Sequence, residues 1–291
     1  MENTPTPASA FPLKTTDQLG REVSIAAKPQ RILSLSPANT EILFALGLGD
    51  RVVGVDNQSN YPPEAKNKPS VGDYYPTPDM EKIVALSPDL IVGTTEQKDQ
   101  VIPALEKLGL TVLALNATTV EKVLDGVRLL GRATGSEAAA EKLAGDLDER
   151  VRAVTAKTQA VLSEKRPRVL FLAWHDPIYT AGDGSFIGDL IDKAGGNNIA
   201  AGLGAFPTIG LEAVLEKNPE IIVANVGHVP GEDATLQWAR TEGRLADVAA
   251  RKNGRVYSIA GDIVDRPGPR LVEALEQLAQ FFYPDLFPAQ K

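Results

Sequence analysis

The chain has 291 residues, 43% of them hydrophobic, which suffices for one large core or two of ordinary size. A net charge of -8, with basic residues interspersed among acids, excludes a nucleic-acid partner, because phosphate recognition needs clustered Lys and Arg. The absence of cysteine excludes disulfides, thiolate metal sites and a cysteine nucleophile, and no apolar run approaches the ~20 residues of a membrane-spanning helix.

The first ten residues, MENTPTPASA, are rich in Pro, Thr and Ser. They predict a disordered tether, either the spacer behind a removed export or lipid-anchor signal or an ordinary frayed terminus. Residues 1–29 as a whole are expected to be tether and lead-in, and a first α/β lobe is expected over 30–133. Within it Ile32 to Leu35 reads as a buried strand, Ser36-Pro37 as an N-cap followed by Pro at the first helical position, and Gly47 as the helix stop. Strands at 52–55, 90–92 and 112–115 alternate with helices at 79–86 and 101–108.

Residues 134–164 read as one long, rigid connecting helix. Thr134 and Glu137 are spaced as a capping box, Leu143, Leu147, Val151, Val154 and Val161 make an apolar stripe, and no Pro interrupts 135–166. The order of elements then restarts over 165–291. A strand at 169–172 leads to a helix at 186–194 that stops at Gly195-Gly196. A helix near 212–215, a strand at 221–224, a helix near 243–250, a strand at 256–259 and an amphipathic helix at 269–282 complete it. Strands alternating with helices predict mostly parallel sheets. The expected fold class is α/β: two Rossmann-like lobes joined by one long helix, with a ligand cleft between the lobes at the carboxyl ends of the strands.

An internal repeat supports two lobes. Tyr75 to Gly93 and Phe206 to Ala224 align over nineteen positions with six identities: Pro76/Pro207, Thr77/Thr208, Glu81/Glu212, Pro88/Pro219, Ile91/Ile222 and Val92/Val223. Average residue usage would give roughly one. Tyr74, Tyr75, Trp174, Tyr179 and Phe206 fall in loops that follow a strand or precede a helix. There they would line the cleft for a bulky, partly apolar ligand, or plug the lobe interiors. Glu81 and Glu212 fall in the first turn of a helix, where a carboxylate suits the macrodipole. Their repetition also fits docking onto two symmetric basic residues of a dimeric partner.

Catalytic patterns are missing. GDGSFIG at Gly182 to Gly188 fits neither a nucleophile elbow nor a dinucleotide loop, and no phosphate-binding Gly-Lys-Ser/Thr occurs. Two histidines, His175 and His228, rule out a three-histidine metal site. A two-lobed α/β enzyme is therefore the alternative, and a non-enzymatic binding protein the main reading.

The stretches RILSLSPANTEILFALG, YPPEAK, MEKIVALSPDLIV, PIYTAG, GGNNI and DRPGPRLVEALEQL resemble the solute-binding proteins of ABC importers. They fit the class with a rigid interlobe helix that serves cobalamin, ferric siderophores and haem, and are most similar to its cobalamin-binding members. The resemblance covers about residues 30–285. It implies a monomer, periplasmic or lipid-anchored at the cell surface, that holds cobalamin or another corrinoid as transported ligand with no cofactor or metal of its own. Ferric siderophore or haem is the alternative cargo. It implies further that Glu81 and Glu212 engage arginines of a permease dimer, and that Tyr75, Phe206 and Tyr179 line the pocket. Asp262 and Arg266 would touch the ligand as an acid and a base, the alternative being that Arg266 is neutralised locally by Asp262 and Asp265. Gln58 and Thr94 stand where the class has a pocket tyrosine and tryptophan. Trp174-His175 has no counterpart, and His175 is expected either as a hydrogen-bonding loop residue or as a ligand to cobalt or iron.

Overall fold

Each copy of the repeat builds the third strand of its own parallel sheet. The computed structural model describes residues 10–73, 77–227 and 232–288. The expected tether up to residue 9, Tyr74, Tyr75 and His228 therefore lie outside the described residues. The chain divides into two compact units, one of residues up to Ala117 with Glu121–Leu147, the other of Thr118–Val120 with the chain from Asp148.

The first unit opens on a hairpin, β1 (Leu13–Thr16) and β2 (Glu22–Ile25), within the stretch expected as lead-in. Its turn is closed by Asp17, whose carboxylate accepts from the backbone of Leu19 and Arg21 and from the Arg21 guanidinium. Then follow β3 (Ile32–Ser34), α1 (Pro37–Ala45), β4 (Val52–Gly54), α2 (Met80–Ala85), β5 (Leu90–Thr94), α3 (Val101–Lys107) and β6 (Val112–Leu115). The sheet order is β4-β3-β5-β6, all parallel. Leu33, Ile91 and Val112 pack against Ile83 and Leu105 from the helices.

Two helices follow, α4 (Val120–Thr134) and α5 (Glu137–Thr158). The first was not anticipated, although Val120, Val123, Leu124 and Val127 form a buried i, i+3, i+4, i+7 stripe. The connecting helix is shorter than the expected 134–164. Gly135 takes φ 63° between the two helices, and Thr134 ends the first of them by donating its hydroxyl to the Leu130 carbonyl rather than capping the second. At the other end the chain leaves the helix after Thr158 and makes only a short 3-10 turn at Ser163–Lys165.

The second unit contains β7 (Arg168–Leu172), β8 (Trp174–His175), β9 (Ile178–Tyr179), α6 (Phe186–Lys193), β10 (Asn197–Asn198), α7 (Leu211–Lys217) and β11 (Ile221–Val226). It continues with α8 (Glu232–Thr241), α9 (Ala249–Lys252), β12 (Val256–Ala260), α10 (Gly261–Val264) and α11 (Leu271–Phe282). The helix expected near 243–250 is a 3-10 turn at Gly243–Leu245 followed by α9, and the longer helix of this region is α8. The final helix starts at Leu271, two residues after Pro269.

The main sheet here runs β10-β7-β11-β12, again parallel. In both units the strands thus take the order second, first, third, fourth. The repeated helix-strand unit is tied down identically. Arg31 donates to the carbonyls of Leu86 and Ser87 at the end of α2, and Arg168 does so to Lys217 and Asn218 at the end of α7. Asp89 accepts from the Arg31 backbone N–H and Glu220 from that of Arg168. Each guanidinium satisfies carbonyls that a helix end leaves unpaired.

Candidate functional site

In an open parallel sheet, ligands collect where strands end at their carboxyl edges. In the first unit these ends are polar and well satisfied. Ser36 caps α1 by accepting from the Asn39 N–H, and the Asn39 amide donates to the carbonyls of Val92 and Gly93 at the end of β5. A buried chain links Ser34, Thr40, Ser59 and Asp56. Past β4, the backbone N–H of Gln58 donates to the Asp56 carboxylate, which leaves the Gln58 side chain exposed. Thr94 ends β5 in a capping box with Gln97. A cavity of about 240 Å³ beside Asp56, Ser59, Lys66 and Ser70 is smaller than the roughly 300 Å³ at which drug-sized pockets begin, so it does not suit a bulky ligand.

The second unit assembles its aromatic residues on one ribbon. β8 and β9 form an antiparallel hairpin in which Trp174 is opposite Tyr179 and His175 opposite Ile178. The segment 205–209 then runs along the outer side of β9. Tyr179 bridges Thr208, the Thr180 N–H donates to the Pro207 carbonyl at 3.1 Å, and the Ile209 N–H donates to that of Ile178 at 3.0 Å. Tyr179 and Phe206 are thereby brought onto adjoining strands although they come from separate stretches of sequence, while the Trp174 indole N–H donates to the Asp176 carbonyl in the hairpin turn at 3.0 Å. Tyr179 is 45% and Phe206 64% exposed, so neither plugs an interior.

His175 has a different setting. Side chains alternate across a strand, so His175 shares its face of the hairpin with the buried Ile178. Its Nδ1 lies 3.1 Å from the Thr235 hydroxyl on α8, and its ring lies 4.9 Å from Trp174 and 5.8 Å from Trp238, centre to centre. Thr235 and Trp238 were not singled out in the sequence. Their spacing of three on an amphipathic helix is the signal that would have found them.

At the end of β12, α10 carries Asp262, whose carboxylate meets the Arg266 guanidinium at 2.7 Å. Arg266 is 4% exposed, and Arg270 donates to the Asp262 carbonyl. Asn225, buried at the end of β11, donates to Asp265. Asn225 occupies the place of Thr94 in the repeat, a polar residue closing an apolar run in both copies.

Glu81 and Glu212 are both exposed in the first turn of α2 and α7. α2 is capped by Asp79, whose carboxyl is held below its usual range chiefly because it accepts from the Lys82 backbone N–H. α7 begins at Gly210 with no side-chain cap. The Arg244 guanidinium is raised further above its usual value, mainly by its hydrogen bond to Glu242 and to a lesser degree by the charge of Glu212. Among the described residues no group of three His, Asp or Glu could hold a metal ion, and no helix is long and apolar enough to cross a membrane.

Residues 32–262 match the family described as periplasmic binding protein. An uncharacterized ABC transporter substrate-binding lipoprotein, YvrC of Bacillus subtilis, is 32% identical, with 95% of this chain and 87% of the relative covered. The structure of the periplasmic vitamin B12 binding protein BtuF of Vibrio cholerae superimposes with a TM-score of 0.75 at 27% identity, over 88% of this chain and 97% of that one. A periplasmic heme binding protein from Pseudomonas aeruginosa gives 0.76 at 28% identity, over 88% and 94%.

Proposed function

The chain belongs to the periplasmic binding protein family, and we propose that it captures cobalamin or a related corrinoid outside the cytoplasmic membrane and delivers it to an ABC importer. The observation that carries the reading is the aromatic ribbon. Tyr179 and Phe206 stand exposed on adjoining strands at the carboxyl end of a parallel sheet, with Trp174 paired to Tyr179 in backbone register and its indole turned onto His175 and the Asp176 carbonyl. Such flat surfaces suit a large ring system held by stacking and shape. A corrinoid carries its own axial ligands, so its binding needs no protein ligand to the metal. This agrees with a His175 ring flanked by two tryptophans and held by Thr235.

The remaining roles follow from that reading. Tyr74, Tyr75 and Gln58 would supply the first unit's contacts, and Asp262 a polar anchor whose carboxylate the buried Arg266 holds in place. Glu81 and Glu212 would dock on arginines of a permease dimer. The protein would work as a monomer, periplasmic or lipid-anchored, with its two units joined through the long helix. A second reading, haem or a ferric siderophore as cargo, is favoured by the exposed phenol of Tyr179, since phenolate is an iron ligand. Calorimetric titration with cyanocobalamin and with a precursor corrinoid tests the proposal. Saturable one-to-one heat is expected, and no heat with either, alongside tight binding of haem or a ferric siderophore, would overturn it.

A further inference from the structure

The two docking glutamates are accompanied by a second repeated feature. Val84 is 48% and Leu215 39% exposed, and both stand three residues after a glutamate, on the same helix face as Glu81 and Glu212 respectively. They occupy equivalent places in the repeat, 131 positions apart. Neither is needed by the core beneath it, because the buried contact of each helix is made by its neighbour, Ile83 in α2 and Val214 in α7, both fully buried. Nor does helix propensity favour the β-branched Val84 on an exposed face.

The nearest cations have closer acidic partners, although the charge of Glu212 also reaches Arg244. Lys82 pairs with Asp79 at 3.3 Å, and Arg244 pairs with Glu242 at 2.9 Å. Glu81 and Glu212 make no ion pair with a described residue. Each unit therefore presents an exposed carboxylate with an exposed aliphatic side chain one helical turn away.

We infer that Glu81 with Val84 and Glu212 with Leu215 are two copies of one composite docking patch. The partner is a pair of equivalent protein subunits, each offering a cationic side chain bordered by an apolar surface. This rests on the docking role proposed above and extends it: the carboxylates set register and approach rate, while the aliphatic side chains hold the complex once formed. One carboxylate in water gives little net affinity, so burial of its aliphatic neighbour would supply what lasts.

The test uses the full chain and the permease-ATPase complex from the same organism, reconstituted in lipid nanodiscs, with association and dissociation followed by surface plasmon resonance at two salt concentrations. The double variant Val84→Gln, Leu215→Gln places at exposed positions a residue that forms helix better than Val and about as well as Leu, so its fold is retained, and circular dichroism checks this. It is expected to raise the dissociation rate ~10-fold while the salt dependence of association stays as in the parent. The double variant Glu81→Gln, Glu212→Gln is expected to lose most of that salt dependence. If the glutamine-for-aliphatic variant dissociates like the parent while the glutamate variant is impaired, the composite patch is overturned and the docking glutamates stand. If neither variant differs from the parent, both readings fall.

Discussion

Ser87 and Asn218, 131 positions apart, share one left-handed backbone conformation, with φ of 45° and 44°. Among the described residues they are the non-glycine positions at positive φ. Each follows the repeated helix, and each offers its carbonyl to an arginine, Arg31 or Arg168. The helix stops and turns into the third strand in the same way in both units, so this strained position belongs to the repeated architecture.

Asparagine tolerates this conformation better than serine, and Asn218 also accepts from the Ala249 N–H at 2.8 Å. Exchanging the residues should therefore act asymmetrically. Ser87→Asn is expected to stabilise by about 0.5 kcal/mol, and Asn218→Ser to destabilise by about 1–2 kcal/mol through the lost hydrogen bond and added strain. Urea midpoints of the two variants check this; equal shifts would contradict it.

Gly131 on α4 lies against α5 so closely that a Cβ there would be 2.3 Å from that of Ala140. Gly131→Ala is expected to cost about 1–3 kcal/mol in spite of alanine's higher helix propensity. Adding Ala140→Gly should recover part of the loss. Thermal melts of the single and double variants measure both effects.

The Glu242 carboxyl is lowered from 4.5 to about 2, first by its side-chain hydrogen bond to Arg244 and then by accepting from the Arg244 backbone N–H. A depressed carboxyl stabilises the fold above its unfolded value, and that contribution is lost as pH falls from about 4.5 to about 2. A carbon-detected NMR titration should place the Glu242 midpoint near the lower value. In Arg244→Gln it should move back toward 4.5.

Tyr179→Ala and Phe206→Ala are each expected to weaken cyanocobalamin binding ~10–100-fold, since each removes an exposed aromatic wall. Glu81→Ala with Glu212→Ala should leave that affinity unchanged and reduce uptake in a reconstituted transporter. Calorimetry and transport assays separate the two roles.

Much of the fold is legible in the sequence because buried parallel strands announce themselves as short apolar runs, such as Leu90 to Val92 and Ile221 to Ala224. The position of Gly135 was visible too, yet the uninterrupted helical pattern on either side masked the break that its positive φ makes. Helix α8 was hidden by its polar composition, EDATLQWART. In the candidate site, the residue types of Tyr179 and Phe206 pointed to exposed walls. What sequence could not convey was the pairing of 205–209 with β9, which places them on adjoining strands. The setting of the half-buried His175 depends likewise on hairpin register and on Thr235, sixty positions away.

The cargo proposed for this chain is a corrinoid. The most direct measurement incubates the purified protein with an equimolar mixture of cyanocobalamin, hemin and a ferric hydroxamate, removes free ligand and records the absorption spectrum of what stays bound. A corrinoid spectrum at one equivalent per chain is the predicted result. A retained haem or ferric-hydroxamate chromophore without corrinoid would contradict it.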